Sequence, residues 1–115
     1  MGVVRSRAAE FGLNSSTQIG FLGFSAGSHL SAHISTDFTS RSYKRIDGAA
    51  DVSCRPDFFM LLYPWCVVGD NAESGSSCNS DTNHTMTLDV TDQVPPMFII
   101  QAEDDPVHVD NSILL

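Results

Sequence analysis

A charge-free segment, Gln18 to Phe24, runs directly into Ser25 and then into a stretch rich in Ala, Ser and His that ends near Thr36. The first segment has the length and apolar content of a strand buried on both faces, and the second has the composition of a helix. Glycines flank the junction, in Gly23-Phe24-Ser25-Ala26-Gly27, so the turn between strand and helix is tight. A buried strand that passes straight into a helix belongs to a parallel sheet, because parallel neighbours can only be joined by a crossover.

The rest of the chain keeps that rhythm. Val4, Ala8 and Phe11 form an apolar helical stripe followed by Gly12, where a helix-ending glycine belongs. Phe58 to Tyr63, ended by Pro64, reads as a second buried strand, and Met97 to Ile100, introduced by Pro95-Pro96, as a third. Asp37 to Asp51 is a polar connection. Residues 69–85, rich in Gly, Asn, Ser and Asp, form a long surface loop. Val109 to Leu115 begins another helix. The expectation is α/β: a single partial domain over residues 1–115, with a parallel sheet flanked by helices. Three strands leave such a sheet with bare edges and a bare face, so the chain is expected to be an interior piece of a larger fold.

Composition narrows the partners. All six Lys and Arg lie at or before Arg55, against four acidic residues in that half; residues 56–115 carry ten acidic residues and no Lys or Arg. That balance argues against nucleic acid or an anionic membrane as partner, and no apolar stretch is long enough to span a bilayer. Met1-Gly2 with Ser6 fits the myristoylation pattern, but the same residues read as a helix. Cys54, Cys66 and Cys78 have no metal-ligand spacing, and an odd number makes buried free thiols the expectation. Asn14-Ser15-Ser16 and Asn83-His84-Thr85 match the glycosylation sequon.

Gly23-Phe24-Ser25-Ala26-Gly27 is of the form Gly-x-Ser-x-Gly, and its setting between strand and helix is the one a nucleophile elbow requires. A serine at the tip of such a turn has its hydroxyl lifted clear of the sheet. Gly23 and Gly27 are expected to be glycine because a side chain at either would collide with neighbouring backbone. The Ala26 N–H, with the helix N-terminus behind it, is the expected donor to an oxyanion formed by attack of Ser25.

From Val3 to Ala32 the sequence resembles a segment of α/β-hydrolase esterases of the acetylxylan-esterase-like group, which lie near the feruloyl-esterase-like and prolyl-oligopeptidase hydrolases. Those proteins carry an elbow of the form Gly-Phe-Ser-Ala-Gly-Gly-His-Leu, and here Ser28 replaces the second of the adjacent glycines. Arg55 to Pro64 looks like the group's next strand. Val94 to Leu115 resembles the strand and turn that bear its acidic residue. The resemblance implies a partial α/β-hydrolase fold, a nucleophile at Ser25 and a carboxylate at Asp105, with Asp104 as the alternative. It also implies a carbohydrate acetyl ester or similar small ester as substrate, and no cofactor.

A histidine must take the Ser25 proton and be oriented by the acid. In the resembling hydrolases it lies well beyond the acid, after a further strand. His108 is too close to Asp105 to fill that role, and His84 lies in the polar loop. His29 and His33, one helical turn apart with Asp37 a turn further on, lack the ligands that would complete a metal site; His29 is expected to pack under the elbow. Nothing before Ser25 resembles the His-Gly-Gly loop that supplies a second oxyanion donor. The reading is therefore a serine ester hydrolase that is incomplete over these residues. The alternatives are a non-catalytic hydrolase-derived fragment and a prolyl-oligopeptidase-type peptidase.

Overall fold

The computed structural model describes residues 1–13, 18–67, 88–106, 109–113 and 115. Both sequons, Cys78, His84, His108 and the whole of the long polar loop, 69–85, lie outside the described residues. In chain order the elements are α1 (Gly2–Ser6), β1 (Phe21–Phe24), α2 (Ala26–Thr36), a turn of 3-10 helix (Gly48–Asp51), β2 (Phe59–Leu62), β3 (Met97–Ile100) and α3 (Asp110–Ile113). The strands form one parallel sheet in the order β1-β2-β3, the α/β architecture expected from the sequence.

Each strand is bounded by residues that cannot extend it. Pro56 and Pro95 precede β2 and β3, Pro64 follows β2, and all three are buried. A proline has no N–H to give a ladder and is tolerated only at such ends. The chain entering β1 is fixed by a two-way exchange: Asp57 donates its amide to the Ile19 carbonyl at 2.9 Å, and its carboxylate accepts the Ile19 N–H at 2.8 Å. Arg5 joins the same carboxylate at 3.1 Å and also reaches the Arg55 carbonyl at 2.8 Å. This cluster tethers α1 and the amino-terminal edge of the sheet to each other.

Parallel pairing puts Leu22, Met60 and Phe98 in one row, and Phe24, Leu62 and Ile100 in the next. Alternation then sends Phe59, Leu61 and Ile99 to the opposite face. That face is covered by α2, where Ala32, Phe59, Leu61 and Val67 form the core. The other face is not covered by any described helix: Leu22 is 56% exposed and Phe98 55%. The charge-free run before Ser25 thus marks a strand buried on one face only among the described residues.

The first helix also differs from its sequence signal. Only Gly2–Ser6 is regular helix, and of Val4, Ala8 and Phe11 only Ala8 is buried. The stripe finds no partner there, because α1 instead lays Gly2 against the Ala49 carbonyl, where a β carbon would come within 2.5 Å. Gly12 does adopt a left-handed φ of 69°. Its amide reaches Ala9 and that of Leu13 reaches Ala8, the paired bonds of a Schellman stop.

Candidate active site

The carboxyl ends of the parallel strands share one edge, and Ser25 follows β1 there directly. It occupies the N-cap position of α2 with φ 51° and ψ −120°. This conformation lies on the positive side of φ and outside the left-handed helical well, which costs a non-glycine residue roughly 1–3 kcal/mol. Serine at an N-cap ordinarily stabilises the helix by accepting an N–H from the first turn. The Ser25 side chain makes no such bond. The residue is half-buried, and no hydrogen-bond partner for its hydroxyl occurs among the described residues.

The strained turn is held by its backbone on every side. The Ser25 N–H donates to the Leu62 carbonyl at 3.1 Å, continuing the β1–β2 ladder. Its carbonyl accepts from Ser28 at 2.9 Å, His29 at 3.3 Å and Trp65 at 3.4 Å. The Ala26 N–H, first in α2, has no intrahelical acceptor, and Ala26 is an exposed residue at the helix N-terminus. It therefore presents a donor, reinforced by the helix dipole, on the same edge as the Ser25 hydroxyl.

The two glycines differ. A β carbon on Gly23 would lie 2.3 Å from the Gly27 carbonyl oxygen and 2.5 Å from the Ser28 nitrogen. At Gly27 a β carbon meets nothing within 4 Å, contrary to the expected collision. Gly27 supplies the backbone that crowds Gly23, while its own α carbon faces outward.

The segment after β2 closes over this turn. Tyr63 and Cys66 both have positive φ, 37° and 63°. The Cys66 carbonyl receives the His29 Nδ1 hydrogen at 2.9 Å. Because a carbonyl only accepts, that ring nitrogen carries a proton, and His29 is engaged in holding this segment under the Ser25 turn. The Val67 N–H donates to Asn111 Oδ1 at 3.0 Å, inside the core. Cys66 is disulfide-bonded and Cys54 is free. The odd cysteine count misled at Cys66, because it says nothing about which pair the fold brings together.

Asp105 lies on the same edge of the sheet, five residues beyond β3, and its amide donates to the Ala102 carbonyl at 3.3 Å. It is half-buried, whereas Asp104 and Glu103 are exposed. Gln101, at the end of β3, accepts the Ser112 hydroxyl of α3. Since β2 separates β1 from β3, the carboxyl ends of β1 and β3 are two strand spacings apart, about 10 Å. His33 and Asp37 are at the other end of α2, in a cavity of about 380 Å³ also lined by Asp89, Asp92 and Phe38; they take no part in the Ser25 edge.

Sequence reasoning marked Ser28 only as a replaced glycine and missed Trp65 and Asn111, which with it hold the turn and the following segment. Their partners are backbone groups distant in the chain, so no local pattern marks them.

No family model matches the chain. It is 31% identical over 121 aligned positions to endo-1,4-beta-xylanase B of Butyrivibrio fibrisolvens, an alignment covering 96% of this chain and 19% of that protein. It also superposes on the crystal structure of an acetyl ester-xyloside bifunctional hydrolase from Caldicellulosiruptor lactoaceticus, with a TM-score of 0.77 and 36% identity. That match covers 98% of this chain and 45% of the other. Nearly the whole of this chain is thus similar to part of two longer hydrolases, spanning about a fifth of one and under half of the other.

Proposed function

We propose that these residues form the nucleophile-bearing part of an α/β-hydrolase that cleaves carboxylic esters, with acetyl groups on a carbohydrate as the substrate class. The observation that carries the proposal is Ser25 itself, an N-cap serine in strained geometry whose hydroxyl caps nothing. Strain of this kind is kept where the surroundings over-determine it, and it clusters at functional sites. The similarity to a hydrolase of acetyl esters and xylosides supports the choice of ester.

In this reading Ser25 Oγ attacks the ester carbonyl while a base removes its proton. The carbonyl oxygen becomes an oxyanion facing the Ala26 N–H and the N-terminus of α2. Collapse expels the alcohol, protonated by the same base, and leaves an acyl group on Ser25; water, activated by that base, then releases the acid. Asp105 orients the base. Its half-burial favours it over Asp104, since a carboxylate that holds an imidazole works best out of bulk water. His29 is committed to the Cys66 carbonyl and His33 faces the wrong end of α2, so neither serves as the base in this reading.

The test is labelling by a fluorophosphonate probe, together with hydrolysis of p-nitrophenyl acetate and acetylated xylo-oligosaccharides. The expected result is a covalent adduct on the Ser25 peptide and ester turnover, both abolished in Ser25→Ala. Labelling elsewhere, or turnover that survives Ser25→Ala, would overturn the proposal.

A further inference from the structure

We propose that Ser28 is a positioning residue for Ser25: its hydroxyl clamps the last rungs of β1 and β2 and so holds the strained turn in place. The inference rests on Ser25 being the nucleophile. Serine and threonine inside helices ordinarily bond back to the carbonyl four residues earlier. Ser31 does so to Gly27 at 2.9 Å and Thr36 to Ala32 at 3.0 Å. Ser28 does not follow them.

The Ser28 hydroxyl is completely buried and reaches out of its own helix. It accepts the Leu62 N–H at 3.0 Å and has two acceptors for its single hydrogen, the Gly23 carbonyl at 2.7 Å and the Leu62 carbonyl at 2.9 Å. The Leu62 carbonyl is also the group that receives the Ser25 N–H. One hydroxyl therefore engages the strand that leads into the nucleophile and the neighbouring peptide to which the nucleophile is bonded. The Ser28 amide, in turn, donates to the Ser25 carbonyl. The absence of a side chain on Gly23 is what lets α2 come close enough for this reach, since a β carbon there would overlap Gly27 and Ser28.

The geometry separates two substitutions that helix propensity ranks the opposite way. Ser28→Ala leaves a methyl group where the hydroxyl stood, so the Leu62 N–H and Gly23 carbonyl, already facing each other in the β1–β2 ladder, lose their second partner in a space closed to water. Ser28→Gly vacates room for about one water, ringed by the Leu62 N–H, the Leu62 carbonyl and the Gly23 carbonyl, which are enough partners to hold it. A role limited to helix stability favours Ala over Gly. The clamp favours Gly over Ala.

The experiment measures the rate of fluorophosphonate labelling of Ser25, and amide hydrogen exchange at Ser25 and Leu62, in the protein and both variants. The expected result is labelling about tenfold slower in Ser28→Ala, with the loss in the maximal rate and not in probe affinity, and within about threefold of the parent in Ser28→Gly. Protection of the Leu62 amide should fall in Ser28→Ala and persist in Ser28→Gly. Equal labelling in all three proteins, or a Gly variant slower and less protected than the Ala variant, would overturn the clamp. A parent protein that takes no label overturns the reading of Ser25 and with it the positioning role; the exchange data then decide separately whether the clamp exists.

Discussion

The carbonyl oxygen of Gly27 stands 2.3 Å from the place a β carbon on residue 23 would occupy. The contact is backbone against backbone, so no rotamer can relieve it. Gly23→Ala should therefore lower stability by at least about 3 kcal/mol, or displace the strand from the helix. Gly27→Ala, with open space around it, should instead raise stability by up to about 1 kcal/mol through helix propensity. Urea denaturation of the two variants checks the contrast. Similar losses in both would show that the turn is crowded on both sides.

At Ser25 the strain itself is measurable. Glycine adopts positive φ without penalty, whereas alanine keeps the β carbon that serine has. Ser25→Gly should be more stable than Ser25→Ala by about 1 kcal/mol. A thermal melt that ranks the two the other way would mean that the turn relaxes once the hydroxyl is gone.

Asp57 holds together three segments, through Arg5 and through both sides of the Ile19 exchange. The side chains of the pair are only 10% and 22% exposed. Asp57→Ala leaves a guanidinium and the Ile19 N–H without their acceptor, so it should cost about 2 kcal/mol. Asp57→Asn keeps an acceptor oxygen and should cost about half as much. Urea midpoints at unchanged slope give the comparison; equal losses would place the whole effect on the charge.

Arg45 and Asp51 form a two-pronged pair at 2.7 and 2.6 Å on the surface. The Arg45 guanidinium, bonded to it, holds the Asp51 carboxyl below its ordinary value of 3.8, with a further pull from Arg41. The same contact, aided by Asp47, raises Arg45. A carboxyl depressed in the folded state contributes stability that is fully present above its unfolded value and is lost as the pH falls through the folded one. Both side chains are solvated, so the contribution is small and screened by salt. A carbon-detected NMR titration should find the Asp51 midpoint below 3.8 at low salt, and moving up toward that value in Arg45→Gln. An unchanged midpoint in the variant would remove Arg45 as the cause.

The open face of the sheet carries Leu22 and Phe98 in one cross-strand row with Met60. Exposed apolar rows of this size bind apolar dyes and promote association. The 115-residue chain should enhance the fluorescence of anilinonaphthalene sulfonate, and Leu22→Thr combined with Phe98→Thr should remove most of the enhancement. No change would mean that this face is covered in solution.

The strand–turn–helix around Ser25 and the third strand were legible in the sequence because they are local. The charge-free run ending at Phe24, the glycine at 23, and Pro95-Pro96 before Met97 each act on their own few residues. Parallel pairing followed from the same pattern, since a strand that enters a helix cannot turn back beside itself. What the sequence could not contain was which distant backbone groups meet. The Ser28 hydroxyl on Leu62, the Trp65 amide on the Ser25 carbonyl and Asn111 on Val67 join residues 34, 40 and 44 positions apart. Hydrogen bonds between such groups depend on strand register and helix docking, and neither leaves a periodic trace. The same holds for exposure: an apolar run states that a strand has two greasy faces, and only the tertiary structure decided that α2 covers one of them.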